Sequence, residues 1–218
     1  MIPQSNPAQI LVVDDHPIVR LGIRQMISAE PSLSICCEAD SSKAALESVR
    51  TSTPDLAIVD LSLEDGSGLD LIRALREAIP GLPVLVLSMH DEALFAERSL
   101  RAGARGYIMK QEAIAGLVRA IQQVLSGKIY VSQRMAQNVL ERLGRDGFSP
   151  GGRLGNLTDR ELEVFEMIGR GLSTTAIADR LKISVKTIET YRSNIKTKLN
   201  LEDAADLIRH AATWTERL

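Results

Sequence analysis

The strongest constraint in the chain is a change of period. Through about the first 125 residues, short apolar runs alternate with stretches whose apolar residues recur every three or four positions. Ile10–Val13, Leu33–Ala39, Leu56–Val59, Val84–Leu87 and Gly106–Met109 read as strands. Pro17–Ile27, Ser42–Val49, Leu69–Ile79, Ala93–Arg101 and Ala113–Leu125 read as helices. In the first helix Ile18, Leu21 and Met26 are placed on the buried side; in the third, Leu71, Ile72, Leu75 and Ile79 share one stripe. Five βα units in succession predict an α/β domain, a (βα)5 doubly wound parallel sheet with helices on both faces. The strands are apolar throughout, as strands buried on both faces are.

Beyond this region the strand signal stops. Ser132–Leu143 reads as a helix, and Gly144–Asn156, dense in glycine, as a flexible tether. Thr158–Ile168, Thr174–Leu181, Val185–Leu199 and Ala204–Trp214 then predict an all-α domain of four helices. The expected division is 1–125, a linker with one helix over 126–155, and 156–218. A length of 218 residues is enough to bury two cores, and a net charge of -2 does not describe a chain that coats polyanions along its whole length. The two cysteines, Cys36 and Cys37, are adjacent; neighbours on a regular strand point to opposite faces, so they are expected to be reduced thiols. No apolar run reaches the roughly 20 residues of a membrane span, and MIPQSNPAQ lacks the features of a signal peptide, so a cytoplasmic protein without a membrane partner is expected.

An open parallel sheet binds its ligands beyond the carboxyl ends of its strands. There the first strand delivers Asp14 and Asp15, the third Asp60, the fourth Ser88 and the fifth Lys110. Crowded carboxylates repel one another, and a hard cation such as Mg²⁺ removes the conflict. A carboxylate can also attack phosphorus to give an acyl phosphate. Asp60 is the central candidate nucleophile, with Lys110 and Ser88 placed to meet phosphoryl oxygens.

Asp14, Asp15, Asp60, Ser88 and Lys110, with the stretches DDHPIVRLGI, LSMHDE and RAGARGYIMK, resemble the receiver domain of two-component response regulators of the NarL/FixJ type. The resemblance implies a flavodoxin-like fold and a histidine kinase that donates a phosphoryl group to Asp60. It implies Mg²⁺ held by Asp15, Asp60 and the backbone carbonyl of Ser62, with Asp14 acting through water. It also implies that Ser88 and Tyr107 form a switch pair, Tyr107 turning inward when the Ser88 hydroxyl moves toward the phosphoryl group. Glu64 departs from the family, which usually has proline four residues after the acceptor. It is expected to slow phosphorylation or weaken Mg²⁺ binding modestly.

In the C-terminal region Thr158 and Glu161 make a capping box, and Ser173 and Ser184 stand at the starts of the next two helices. On the Val185–Leu199 helix, Ile188, Ile195 and Leu199 form an apolar back with Tyr191 beside it. Between Arg180 and Lys198 there are six basic residues against one acid, Glu189. An apolar back, a polar front and basic flanks suit a helix lying in the major groove of double-stranded DNA. LTDRELEV and ISVKTIETYRSNIKTKL resemble the LuxR-type DNA-binding domain. By that resemblance Glu189, Thr190 and Ser193 approach bases, and Lys186, Thr187, Tyr191, Arg192, Lys196 and Lys198 hold phosphates. Ala205, Leu207, Ile208 and Ala211 of the last helix would pair two such domains in a homodimer formed on activation.

The whole then reads as a regulator of transcription rather than an enzyme, with RNA polymerase as a further partner. One alternative is a phosphohydrolase of the haloacid-dehalogenase type, but Ser62 stands where its second aspartate belongs, and there is no cap insertion. Another is a DNA-binding scaffold that needs no phosphorylation.

Overall fold

The computed structural model describes residues 6–90, 92–133, 135–137 and 152–215. The chain divides into two compact units between Arg142 and Leu143. In the first, strands β1 (Ala8–Val13), β2 (Leu33–Ala39), β3 (Leu56–Val59), β6 (Val84–Ser88) and β7 (Gly106–Met109) form one parallel sheet in the order β2-β1-β3-β6-β7. A two-residue hairpin, β4 (Ser62–Leu63) with β5 (Gly66–Ser67), stands apart. The helices are α1 (Pro17–Ser28), α2 (Ser42–Ser48), α3 (Gly68–Ala78), α4 (Glu92–Ala102) and α5 (Ala113–Leu125).

The period of two along the strands sorts the core. Ile10, Val12, Leu56, Ile58, Leu85, Leu87 and Ile108 pack with Ile23 and Ile27 of α1 and with Leu117, Ala120, Ile121 and Val124 of α5. Leu11, Val13, Ala57, Val59, Val84 and Val86 are equally buried. Each buried Val, Leu or Ile among them contributes about 1.5–3 kcal/mol.

The face expected for α1 is corrected. Ile18 is 73% and Leu21 43% exposed, whereas Ile23 and Ile27 are buried, with Val19 and Met26 packed beside them. Apolar residues ring this helix, so periodicity offers two stripes. The one that meets Ile10 and Val12 of the sheet is the one buried.

In the second unit Gly152–Asn156 form a 3-10 turn and are followed by α6 (Asp159–Gly169), α7 (Thr174–Leu181), α8 (Val185–Leu199) and α9 (Ala204–Thr215). Thr158 and Glu161 form the capping box of α6, Ser173 caps α7 through Ala176 N–H, and Ser184 caps α8 through Thr187 N–H. The end of the expected tether is therefore ordered structure, and Leu154 and Leu157 beside it are buried. Of the expected helix Ser132–Leu143, residues 133 and 135–137 are helical; residues 134 and 138–143, like 144–151 of the tether, lie outside the described residues.

Candidate functional site

Parallel strands that end at one edge bring their terminal residues together. Asp14 follows β1, and its N–H donates to the Ala39 carbonyl at the end of β2; Asp60 follows β3 and donates to the Val13 carbonyl. Asp14 and Asp60 are 1% and 2% exposed, and Lys110 reaches both, its Nζ 2.6 Å from Asp14 Oδ2 and 2.7 Å from Asp60 Oδ2. Burial pushes the Asp60 carboxyl above the ordinary carboxylate range; Lys110 pulls against this and Asp14 adds to it. Burial would lower the Lys110 ammonium, but the charges of Asp60 and Asp14 outweigh it and hold it above its ordinary value.

One ammonium does not balance Asp14, Asp15 and Asp60. Oδ1 of Asp60 is buried and accepts no hydrogen bond among the described residues. Carboxylate oxygens of Asp14, Asp15 and Asp60 and a ring nitrogen of His16 lie within 4.8 Å of one another. An oxygen-rich cluster with uncompensated negative charge fits a hard divalent cation. His16 was absent from the expected set. Its Nδ1 is 2.6 Å from Asp15 Oδ1, and its N–H donates to Asp14 Oδ1. Its position directly after two aspartates was the available signal.

Gly68 explains the small residues after Asp60. A side chain there would overlap the Asp60 carbonyl and Leu61 Cα, and its N–H donates to the Leu61 carbonyl. Asp65 accepts from Ser42 N–H and Lys43 N–H and so ties the hairpin to the start of α2. Its neighbour Glu64 is exposed and shares the hairpin turn with it.

Ser88 and Tyr107 are both fully buried. They meet on one residue missing from the expected set, His90. The His90 N–H donates to Ser88 Oγ at 3.1 Å, and the Tyr107 hydroxyl donates to the His90 carbonyl at 2.8 Å. The His90 ring lies 2.8 Å from Ser62 Oγ through Nε2 and stacks on Phe95 of α4. The Ser62 hydroxyl thus has a partner of its own, beyond the role expected of its carbonyl.

The chain after α5 returns to this face. The Tyr107 N–H donates to the Tyr130 carbonyl, and the Tyr130 N–H donates to the Arg105 carbonyl, a short parallel bridge beside β7. Two residues on, Ser132 donates its N–H to Glu92 Oε1 at 2.7 Å and its hydroxyl to Glu92 Oε2. Glu92 opens α4, so this clasp joins α4 to the segment leaving the domain. Nothing in the local sequence pattern announces a pair 40 residues apart.

In the second unit Ile188, Ile195 and Leu199 are buried, and Lys186, Glu189, Thr190 and Ser193 are exposed along α8. Thr187, Tyr191, Arg192 and Lys196 are half-buried at its flanks. Thr187 bonds Ser184, and Arg192 reaches Thr174 at the start of α7. Lys198 differs from expectation: its Nζ lies 2.6 Å from Oε2 of buried Glu161, so it locks α8 to the first turn of α6. Burial alone would raise the Glu161 carboxyl; Lys198 and Thr158 overcome this and hold it below the ordinary range.

The last helix is also corrected. Leu207 and Ala211 are fully buried within their own unit, so they are not available to a second copy; Ala205 and Ile208 are exposed. No helix among the described residues is long and apolar enough to cross a membrane.

Family models match both parts of the chain. The response regulator receiver domain matches residues 10–122, and the bacterial regulatory proteins of the luxR family match residues 155–211. The transcriptional activator protein ExaE of Pseudomonas putida is 37% identical over 93% of this chain and 94% of its own. The oxygen regulatory protein NreC of Staphylococcus carnosus is 31% identical, covering 93% and 96%. Among solved structures, a LuxR-family two-component response regulator from Aurantimonas is 35% identical, with a TM-score of 0.59 over 64% of this chain and 99% of its own. The response regulator RcsB in complex with DNA is 26% identical, with a TM-score of 0.58 over 95% and 98%. The chain belongs to the two-component response regulators of the NarL/FixJ type, in which a receiver domain is joined to a LuxR-type DNA-binding domain.

Proposed function

We propose that a histidine kinase transfers a phosphoryl group to Asp60, and that this promotes dimerisation and sequence-specific binding to double-stranded DNA in the cytoplasm, with RNA polymerase as the downstream partner. The observation that carries the reading is the Asp60 carboxylate: buried, bonded through one oxygen to Lys110, with the other oxygen unpartnered beside Asp14 and Asp15. Asp14, Asp15 and Asp60, with the Ser62 carbonyl, would hold Mg²⁺, which when bound would neutralise charge on the incoming phosphoryl group. The Asp60 oxygen attacks phosphorus, and the bond to the donor nitrogen breaks with its electron pair leaving on that nitrogen. Lys110 stays within reach of the oxygens that gain charge.

Ser88 then donates its hydroxyl hydrogen to a phosphoryl oxygen. Its own oxygen still accepts the His90 N–H, so any shift of Ser88 is felt by His90. Tyr107 holds the other side of that residue, and Glu92 lies two residues further on. The path therefore runs from Ser88 through His90 to Tyr107 and α4, and from there to Tyr130 and Ser132. Lys186, Thr187, Tyr191, Arg192 and Lys196 are assigned to phosphates, and Glu189, Thr190 and Ser193 to base edges. Ala205 and Ile208 remain for the contact between two DNA-binding units.

The test is fluorescence anisotropy on a selected operator duplex, with the protein before and after treatment with phosphoramidate and Mg²⁺. The reading requires tighter binding and dimeric stoichiometry only after treatment, with no change for Asp60→Asn. Equal binding in all states would support the scaffold alternative.

A further inference from the structure

The two cysteines belong to neither site. In the pairing of β1 with β2, Ile10 faces Ile35 and Leu11 faces Cys37, so Cys36 is the extra residue of a bulge. A bulge breaks strand alternation. Neighbours expected on opposite faces instead bring their sulfurs to 3.3 Å, and Cys37 Sγ also lies 3.4 Å from Ser52 Oγ. Both cysteines are free and partly exposed. Strand β2 is at the edge of the sheet.

This gap selects among the chemistries open to a dithiol. A disulfide normally needs its Cα atoms at least about 4.4 Å apart, and one trans peptide holds them at about 3.8 Å. Zinc takes four ligands, and among the described residues no further His, Cys, Asp or Glu groups with the two sulfurs. Tetrahedral bonds of about 2.3 Å would also need the sulfurs about 3.8 Å apart. Across 3.3 Å the same bonds subtend an angle of about 90°. That angle is the shape of a pyramidal trivalent centre carrying a lone pair.

We propose that Cys36 and Cys37, set on one side of the bulge, form a chelating dithiol site for trivalent arsenicals. The reaction with an organoarsenous acid, R–As(OH)₂, is a condensation without oxidant or reductant. Two S–H and two As–O bonds break, two As–S bonds form, and two waters leave with the thiol hydrogens. Burial and the neighbouring thiol push the Cys36 thiol up to about 12. A protonated thiol is a poor nucleophile for alkylation, whereas this exchange consumes the thiol hydrogen as it proceeds.

The probe is phenylarsine oxide with the reduced full-length protein, read by intact mass in excess glutathione. One phenylarsenic per chain is expected, retained against the monothiol and removed by a small dithiol. Cys36→Ser and Cys37→Ser, each checked by circular dichroism, are each expected to bind about 100-fold more weakly, the scale of lost intramolecular chelation. If one variant fails to fold, the other decides. A peptide spanning residues 33–39 is expected to bind about 10-fold more weakly than the protein, because the bulge pre-sets the sulfurs. No adduct on wild type, undiminished binding by a folded single variant, or equal binding by the peptide each overturns the proposal.

Discussion

The receiver pocket draws Asp14, Asp15, Asp60, Ser88 and Lys110 from four strand ends, whereas the surface proposed to meet DNA draws Lys186 to Lys196 from one uninterrupted helix. In the first set Asp14, Asp60 and Ser88 are buried, Asp15 and Lys110 partly so, and the members depend on one another: Lys110 bridges Asp14 and Asp60. In the second, the residues assigned to bases are exposed, and Glu189 lies 3.8 Å from Arg192 of the same helix. A site assembled by topology fails as a unit when one member is removed, while a site written along a helix face degrades by increments.

The largest effect is expected from Lys110→Ala. It leaves Asp14 and Asp60 buried beside each other without their cation, a loss of about 3–5 kcal/mol of stability together with phosphoryl acceptance. Urea unfolding of the receiver, and phosphorylation followed by intact mass, measure the two losses. Retention of full stability would break the account of a mutually dependent pocket.

On the helical face the losses are smaller. Glu189→Ala is expected to cost about 1–3 kcal/mol of discrimination between cognate and scrambled duplexes. Lys186→Ala is expected to weaken both duplexes alike and to reduce the salt dependence of binding by about one unit of slope. Anisotropy titrations across a salt series separate the two behaviours. A Lys186 substitution that changed discrimination instead would merge the roles kept apart here.

Lys198 lies on the boundary between the two behaviours, on α8 but paired with buried Glu161. Lys198→Ala is expected to cost about 1–2 kcal/mol of stability in the DNA-binding unit, below the range for a fully buried pair because the lysine is partly exposed. The folded Glu161 carboxyl titrates below its ordinary 4.5, so its contribution is complete above that value and is lost as pH falls through the depressed one. Melting temperatures between pH 3 and 6 are expected to converge for wild type and Lys198→Ala at the acid end. Parallel curves would place Lys198 outside the pair.

How much was legible in the sequence follows the same contrast. The five strand-end residues were readable because a parallel sheet assigns its chain ends to one edge regardless of sequence distance. The back of α8 was readable because Ile188, Ile195 and Leu199 recur at helical spacing. What failed were choices that only packing makes. Ile18 and Leu21 lost to Val19, Ile23 and Ile27 because the sheet presents Ile10 and Val12 to one stripe of α1. Helical spacing alone groups Leu207 and Ala211 with Ile208, but packing turns the first two to the inner side of α9. The helical pattern alone groups Lys198 with the phosphate contacts, because its partner lies 37 residues away. The clasp of Glu92 with Ser132 and the bulge at Cys36 depend on register and on returning chain, which no local pattern encodes.

Two smaller effects sharpen the receiver half. Glu92→Gln keeps the shape of the clasp but removes the charge that Ser132 donates to, and is expected to cost about 1 kcal/mol. Hydrogen exchange at residues 129–133 is expected to quicken, and unchanged exchange would remove Glu92 from the path. Glu64→Pro is expected to raise the phosphorylation rate by about twofold, on the scale of tenths of a kcal/mol for an exposed charge. Phosphoramidate time courses give that rate.

The most direct measurement is intact mass and size-exclusion elution of wild type and Asp60→Asn after incubation with acetyl phosphate and Mg²⁺. The account predicts a single phosphoryl adduct and a shift toward dimer for wild type alone, with Asp60→Asn remaining unmodified and monomeric. An adduct on Asp60→Asn, or a wild type that dimerises identically without the donor, would contradict it.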